Sequence, residues 1–327
     1  MTANAASIVI PTHRRPDLLR NLLESLSHQK TARAFEVIVV NDGSAGDLSM
    51  LEVEFSDISV KVIDLPQSRG RAFARNEGVR NSKEDVLIFV DDDMTVVEDF
   101  LERHMAAHGD VMTVVIGNVL SAPEYSNDPL ARYVERQGVH KLKSRARIHP
   151  KCVRTGNVSV SRELFTRIGM FDESISKYGE DQDLGMKFGE AGADLVFAEG
   201  AISYHHHPPD IDDMIGKMQE YGRYSVPLLV AAHPQIRQVI RLDLAEPVRI
   251  GRECPLVSVR KMMLRIALTP PFYRVARSVY GFKWLGSLLY PVIDYIRAYN
   301  YIRAYRESQK ESAPEARPGP IDPRRRN

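Results

Sequence analysis

Cysteine is scarce in this chain. Only Cys152 and Cys254 occur in 327 residues, which excludes a disulfide framework and a cysteine-built zinc site and leaves a reducing cytoplasm as the expected compartment. Long apolar runs are missing too: none approaches the ~20 residues that a spanning helix needs. The opening "MTANAASIVIPTHRRPD" has no basic stretch followed by an apolar core, so no secretory signal is expected. No internal repeat is visible. Net charge is almost absent, +1 formally, which argues neither for nor against a polyanionic partner; no nucleic acid is expected.

That near-zero charge hides an asymmetry. Residues 251–327 hold 15 Lys and Arg against 6 Asp and Glu, so the rest of the chain is net acidic. A basic end on an acidic body suits an anionic surface, or is simply a solvated end. Its last stretch, "APEARPGPIDPRRRN", has the composition of a disordered tail. Hydrophobic residues make up 43% and charged ones 27%, enough to build a sizeable core.

Apolar runs alternate with helical spacing over the first hundred residues. "ASIVIPT", "FEVIVVN", "VKVIDL" and "DVLIFV" read as strands. Between them "DLLRNLLESLSHQ" spaces leucines as a helix does, with Asp17 as its candidate cap, and "GRAFARNEGVRNS" reads as a second helix. Continuous apolar strands separated by helices predict a parallel sheet covered on both faces. "VMTVVIGNVL" predicts another strand, and residues 121–150 read as a polar loop. A helix is predicted from Ser161 and another over "DQDLGMKFGEAG". "ADLVFAEGAISYHHH" reads as a pair of strands, and from Ile211 the chain looks helical.

In open parallel sheets ligands bind beyond the carboxyl ends of the strands. Pro11-Thr12, Asn41-Asp42 and Asp91-Asp92-Asp93 are three such ends, so all should face one crevice. Three adjacent carboxylates repel one another unless a cation is near, and oxygen ligands on a short turn suit Mg²⁺ or Mn²⁺. Glu180, Asp181 and Asp183 crowd a second acidic segment, "GEDQDLG". They read either as helix-start charges or as a source of a general base. Side chains on a strand alternate, so in "SYHHHPPD" His205 and His207 share a face while His206 points away.

Taken together, "SIVIPTHRRPDLLRNLLESL", "FEVIVVNDGS", "GRAFARNEGVRNS", "LIFVDDDM" and "GEDQDLGMK" resemble the family-2 glycosyltransferases, over roughly residues 6–207. The resemblance implies a GT-A fold: a Rossmann-like, mostly parallel α/β sheet covered by helices. It implies an inverting transfer from a nucleoside diphosphate sugar, UDP-linked by preference, with Mn²⁺ or Mg²⁺. Asp42 would contact the base, and Pro11, Thr12 and Arg14 would line the nucleotide pocket. Arg71 and Asn76 would lie near the sugar nucleotide. Asp93 would hold the metal and Asp91 the metal or ribose, with Asp92 in the same binding set. Asp181 would be the base and Glu180 an acceptor contact, while Asp183 would face solvent or cap its helix. His205, with His207 as alternative, would complete the metal shell. Gly156 and Asn157 would approach acceptor and diphosphate. Met94 stands where many members carry a further Asp.

These expectations divide the chain into a catalytic part, 1–210, with a nucleotide-binding half to about 95, then a helical region, 211–308, and a basic tail, 309–327. The stretch 262–308 mixes aromatics, leucines and arginines, as helices lying on a membrane surface do; it reads equally as an appendix packed on the core or in a homodimer. The acceptor is expected to be a glycan, a lipid-linked molecule or a small molecule. Two other readings remain open: a metal-dependent nucleotidyltransferase and a non-catalytic module that binds nucleotide sugars.

Overall fold

A computed structural model describes residues 5–138, 148–242 and 254–311 of the chain. Eight strands form one sheet: β1 (Ala5–Thr12), β2 (Ala34–Asn41), β3 (Ser59–Asp64), β4 (Val86–Val90), β5 (Met94–Val96), β6 (Thr113–Ser121), β7 (Asn157–Ser161) and β8 (Asp194–His205), in the order β3-β2-β1-β4-β7-β6-β8-β5. The runs that read as strands from their apolar residues form the parallel half, β3-β2-β1-β4. Thr12 pairs with Asn41, so the ends of β1 and β2 are level. Beyond β4 the sheet changes direction: β7 runs antiparallel to it, and Val90 pairs with Asn157. The three aspartates are the link between β4, which joins the parallel half, and β5, whose Met94 pairs with His205 of β8.

Helices cover the sheet because their apolar faces match it. Pro16–Ser27 buries Leu19, Leu22, Leu23 and Leu26 completely. It begins at a proline, whose fixed φ suits a first helical position; Asp17 lies in the first turn and no side chain caps the helix, so the expected Asp17 cap does not form. Arg71–Arg80 presents small residues to the sheet, and a Cβ on Gly78 would lie 2.5 Å from Val9 Cγ1. Two expectations change here. The polar stretch 121–150 contains a helix, Pro129–Arg136, capped by Asp128 through the Leu130 and Ala131 N–H groups; residues 139–147 lie outside the described residues. The predicted strand pair is one strand, β8, whose register on β6 slips between Gly117 and Asn118.

From Ile211 the described chain is helical. Ile211–Glu220 runs through a wider turn, Tyr221–Ser225, into Val226–Ala232, and Pro255–Ala267, Pro270–Tyr280 and Tyr290–Glu311 follow. The last helix reaches into residues expected to be tail; 312–327 lie outside the described residues. It ties to Pro129–Arg136, where Tyr133 Oη donates to Asp294 Oδ1 at 2.5 Å and Arg297 Nη1 donates to Tyr133 Oη at 2.7 Å. None of the described helices is long and apolar enough to cross a membrane.

Candidate active site

The ends of β1, β2 and β4 open on one crevice of about 250 Å³, lined by Pro11, Thr12, Asp42, Arg71, Asp91, Asp92 and Asp93 among others. A second cavity, of about 400 Å³, adjoins it and shares Asp91 and Tyr178 with it. This second space is walled by Met94, Leu120, Leu130, Tyr133, Pro208 and Met214, with Asp181, Gly156, His205 and His207 also on its surface. A charged crevice and a largely apolar cavity therefore meet at one carboxylate and one aromatic ring.

Each aspartate of the triplet has a different partner. Asp91 accepts from Arg75 Nη2 at 2.6 Å. Asp92 accepts from Thr12 Oγ1 at 2.7 Å and from Arg15 Nη1 at 3.3 Å. Burial raises its pKa to about 6, and the charge of Asp93 adds to that, against the Thr12 bond. Asp93 Oδ2 accepts from Arg15 Nη1 at 2.6 Å and lies 3.4 Å from His205 Nε2. Burial works against its charge, but His205 and Arg15 overcome this and hold Asp93 well below the usual carboxylate range. Its other oxygen, Oδ1, is buried with no hydrogen-bond partner among the described residues. An unsatisfied carboxylate oxygen suits Mn²⁺ or Mg²⁺, and His205 Nε2 lies beside the other oxygen of the same carboxylate. Among the described residues no set of three or more His, Cys, Asp or Glu gathers for an ion, and such ions often complete their shell with substrate phosphates. His207 sits on the same side, its ring centroid 6.0 Å from that of His205, and pairs with Asp213. His206 points elsewhere, to Thr95 and Glu124.

The second acidic segment divides by burial. Glu180 is 4% exposed and accepts from Arg75 Nη1 at 3.1 Å; burial and the charge of Asp181 raise its pKa. Asp181 stands at the cavity wall, its Oδ1 held by Thr155 through N–H at 3.2 Å and through Oγ1. Asp183, expected to face solvent or cap its helix, does neither: it is 1% exposed, paired with Lys187 at 2.8 Å and with His233 Nε2 at 2.9 Å, and no side chain caps the helix. Arg75, which the sequence did not single out, is 1% exposed and bridges Asp91 to Glu180.

Other candidates are spent on holding the fold. Asp42 Oδ1 accepts from Arg69 N at 2.7 Å, and its Oδ2 from Ser68 Oγ at 2.7 Å and Gly70 N at 3.0 Å. It thus pins the loop before Arg71 and still lines the crevice. Gly70 has φ 91°, and a Cβ there would meet Ser176 O at 2.6 Å, so glycine is required. Asn76 faces Phe171: its Nδ2 donates to Phe171 O at 3.0 Å and its Oδ1 accepts from Phe171 N at 3.1 Å. Asn157 is fully buried, donating to Ala201 O and Ser203 Oγ and accepting from His104; it lines neither cavity wall. Its neighbour Gly156 does: a Cβ there would lie 3.0 Å from Asp91 Oδ2. Arg14 has φ 59° and bonds Ser44 through its backbone, and this left-handed turn brings the next residue, Arg15, to the aspartates instead. Arg71 reaches the crevice, its guanidinium 5.0 Å from the Tyr178 ring.

Known proteins resemble this chain in sequence and in fold. The profile described as Glycosyl transferase family 2 matches residues 7–169. The uncharacterized glycosyltransferase YfnE of Bacillus subtilis is 28% identical over 264 residues, 64% of this chain and 67% of that protein. A pre-mycofactocin glycosyltransferase of Mycobacterium tuberculosis is 31% identical over 234 residues, 70% of this chain and 48% of that protein, so the chain spans about half of that relative. Among solved structures, a mannosyltransferase of Pyrobaculum calidifontis, in complex with GDP-Man and Mn²⁺, superposes with a TM-score of 0.59 at 15% identity, covering 95% of this chain and 88% of that one. The fold is the GT-A type, and the chain belongs to glycosyl transferase family 2.

Proposed function

We propose that the protein transfers a sugar from a nucleoside diphosphate sugar, UDP-linked in the first instance, to an acceptor hydroxyl with inversion. The observation that carries this is the pair of adjoining cavities. The crevice offers Thr12, Asp42, Arg71 and Asp91 to a nucleotide sugar, and the neighbouring cavity offers Asp181 to an acceptor. Asp93 and His205 would hold Mn²⁺ or Mg²⁺. When bound, that ion supplies positive charge for the leaving diphosphate.

Thr155 fixes Asp181 at the wall of the acceptor cavity, where it takes the proton of the attacking hydroxyl. Arg75 keeps Glu180 and Asp91 apart from that proton transfer by binding both. Donor and acceptor held on either side of Asp91 and Tyr178 are positioned for attack from the face opposite the diphosphate, and such alignment lowers the barrier entropically. Apolar walls in the acceptor cavity favour an acceptor with an apolar body over a free sugar chain. The two cysteines are free thiols, in keeping with a cytoplasmic setting. The test is turnover of nucleoside diphosphate sugars with Mn²⁺, read as diphosphate release and transfer. Asp181→Asn should bind donor normally in a thermal-shift assay and lose about 10²–10⁴-fold in transfer. Full transfer by that variant would remove Asp181 from the base role.

A further inference from the structure

The helical region carries a face that the proposed reaction does not use. Across residues 255–289 there are six Lys and Arg and no carboxylate. The same stretch exposes eleven large apolar side chains, Trp284 at 80%, Leu256 at 75% and Leu288 at 72% the most open. Scattered exposed apolar residues are ordinary, but a run of this density is not. The helix Pro255–Ala267 is inside out by the usual standard: its one buried residue is Lys261, while Leu256, Met262, Met263 and Ile266 are more than half exposed. At about 100° per residue, Leu256, Val259, Met262, Met263 and Ile266 share an arc of about 120°. Arg260 flanks that arc on one side and Arg265 on the other. An apolar stripe bordered by guanidiniums is the pattern of a helix that lies in a lipid interface, with the stripe in the acyl boundary and the cations at head groups. Phe272, Val275, Phe282, Trp284 and Leu288 are likewise exposed in the next two segments.

We propose that residues 255–289 are a docking face for an anionic membrane surface. The choice of occupant follows from charge. Arg277 is paired with Asp212 and Lys283 with Asp128, which leaves Arg260, Arg265 and Arg274 as the exposed cations of the stretch. A second copy of the chain would set these against like cations with no acid in the stretch to pair them, whereas anionic head groups neutralise them. The face also adjoins the acceptor side of the molecule. Lys283 Nζ donates to Asp128 Oδ2 at 3.2 Å, at the start of the helix Pro129–Arg136, and Leu130 and Tyr133 of that helix wall the acceptor cavity. Docking therefore brings the cavity near lipid; that an acceptor could be delivered from there rests on the transferase reading, while the docking itself does not.

Trp284 is the only tryptophan, which makes the full-length protein its own probe. With phosphatidylcholine vesicles containing phosphatidylglycerol, its emission should shift to the blue and the protein should float with the lipid. Phosphatidylcholine alone should give little of either. The variant L256S/M263S/I266S/F272S keeps Trp284, alters only exposed positions and should partition about tenfold or more weakly. R260E/R265E should lose binding to the anionic vesicles specifically, and nucleotide-sugar turnover in solution should be unchanged in both variants. The proposal is overturned if the wild-type protein neither floats nor shifts its emission, or if the serine variant binds as well as wild type. A dimer in sedimentation velocity that the serine variant dissociates, without vesicle binding, would equally overturn it in favour of a second copy as the occupant.

Discussion

Replacing Arg75 by methionine should damage the protein far more than any other single charge removal. The side chain is 1% exposed, its Nη2 donates to Asp91 at 2.6 Å and its Nη1 to Glu180 at 3.1 Å, and its guanidinium lies 5.5 Å from the Phe171 ring. Methionine keeps most of the stem packing and deletes only the charge. Glu180, 4% exposed, is then left buried without its cation, and removing one partner of a buried pair costs about 3–5 kcal/mol. Part of that cost is relieved by protonation. Burial and the charge of Asp181 already raise the Glu180 pKa, and losing Arg75 raises it further. A carboxyl whose folded pKa is raised contributes stability at low pH that is lost as pH rises, so the variant should be closer to wild type at pH 5 than at pH 8. Urea unfolding followed by circular dichroism measures both points. R75M/E180Q should recover about half of the loss or more, because the stranded charge is gone. A loss below about 1 kcal/mol for R75M, or a double variant no better than the single one, would refute the picture of Arg75 as the counter-charge of this site.

Three further outcomes are expected. His104 is fully buried, and Asn157, whose Nδ2 donates to Ala201 O, must offer it Oδ1, so His104 is held as the neutral Nε2–H form; burial lowers its pKa to about 4. Since the unfolded chain takes up that proton near pH 6.5, unfolding free energy should fall by up to ~3 kcal/mol between pH 6.5 and 4, with a shallower fall in His104→Gln, and parallel curves would dismiss His104 as the cause. Gly222→Ala puts a Cβ 2.2 Å from the backbone oxygen of Tyr301; since backbone cannot yield as a side chain does, a loss of about 1–3 kcal/mol is expected, seen as a lower thermal midpoint. Chelation by EDTA should abolish transfer and Mn²⁺ or Mg²⁺ restore it, and His205→Ala should raise the metal concentration needed, whereas undiminished turnover in metal-free buffer would count against Asp93 and His205 as ligands.

The parallel half of the fold was legible because it rests on a local signal. Val86–Val90 and its neighbours are apolar on both faces, as only a doubly covered strand is, and the polar residues just after them mark the crevice. What the sequence hid depends on long-range contacts. Arg75 sits among Ala72, Ala74, Asn76 and Gly78, a helix too weakly apolar to announce which side faces inward; only the approach of Glu180, 105 positions away, explains its burial. Asp183 is buried because His233, 50 positions on, reaches it. Arg14 and Arg15 are indistinguishable as letters, and a single left-handed φ decides between them. Asn157 is expected from the resemblance to approach acceptor and diphosphate, but the antiparallel pairing of β7 with β4 turns its amide into the sheet. The helix Pro129–Arg136 did leave a trace, an Asp-Pro pair at its start, outweighed by the polar residues around it.

The short helix that carries Asp181 is braced from outside the sheet. Tyr221 Oη donates to Gln182 Oε1 at 2.5 Å, and His233 bridges Asp183 and Glu190 of that helix at 2.9 and 2.7 Å. Recombination with a cousin enzyme would therefore go wrong at the boundary that looks most natural. A hybrid spliced just before Ile211 would bring foreign residues against the turn bearing Asp181, so its crevice could keep its shape while Asp181, the proposed base, drifted out of line.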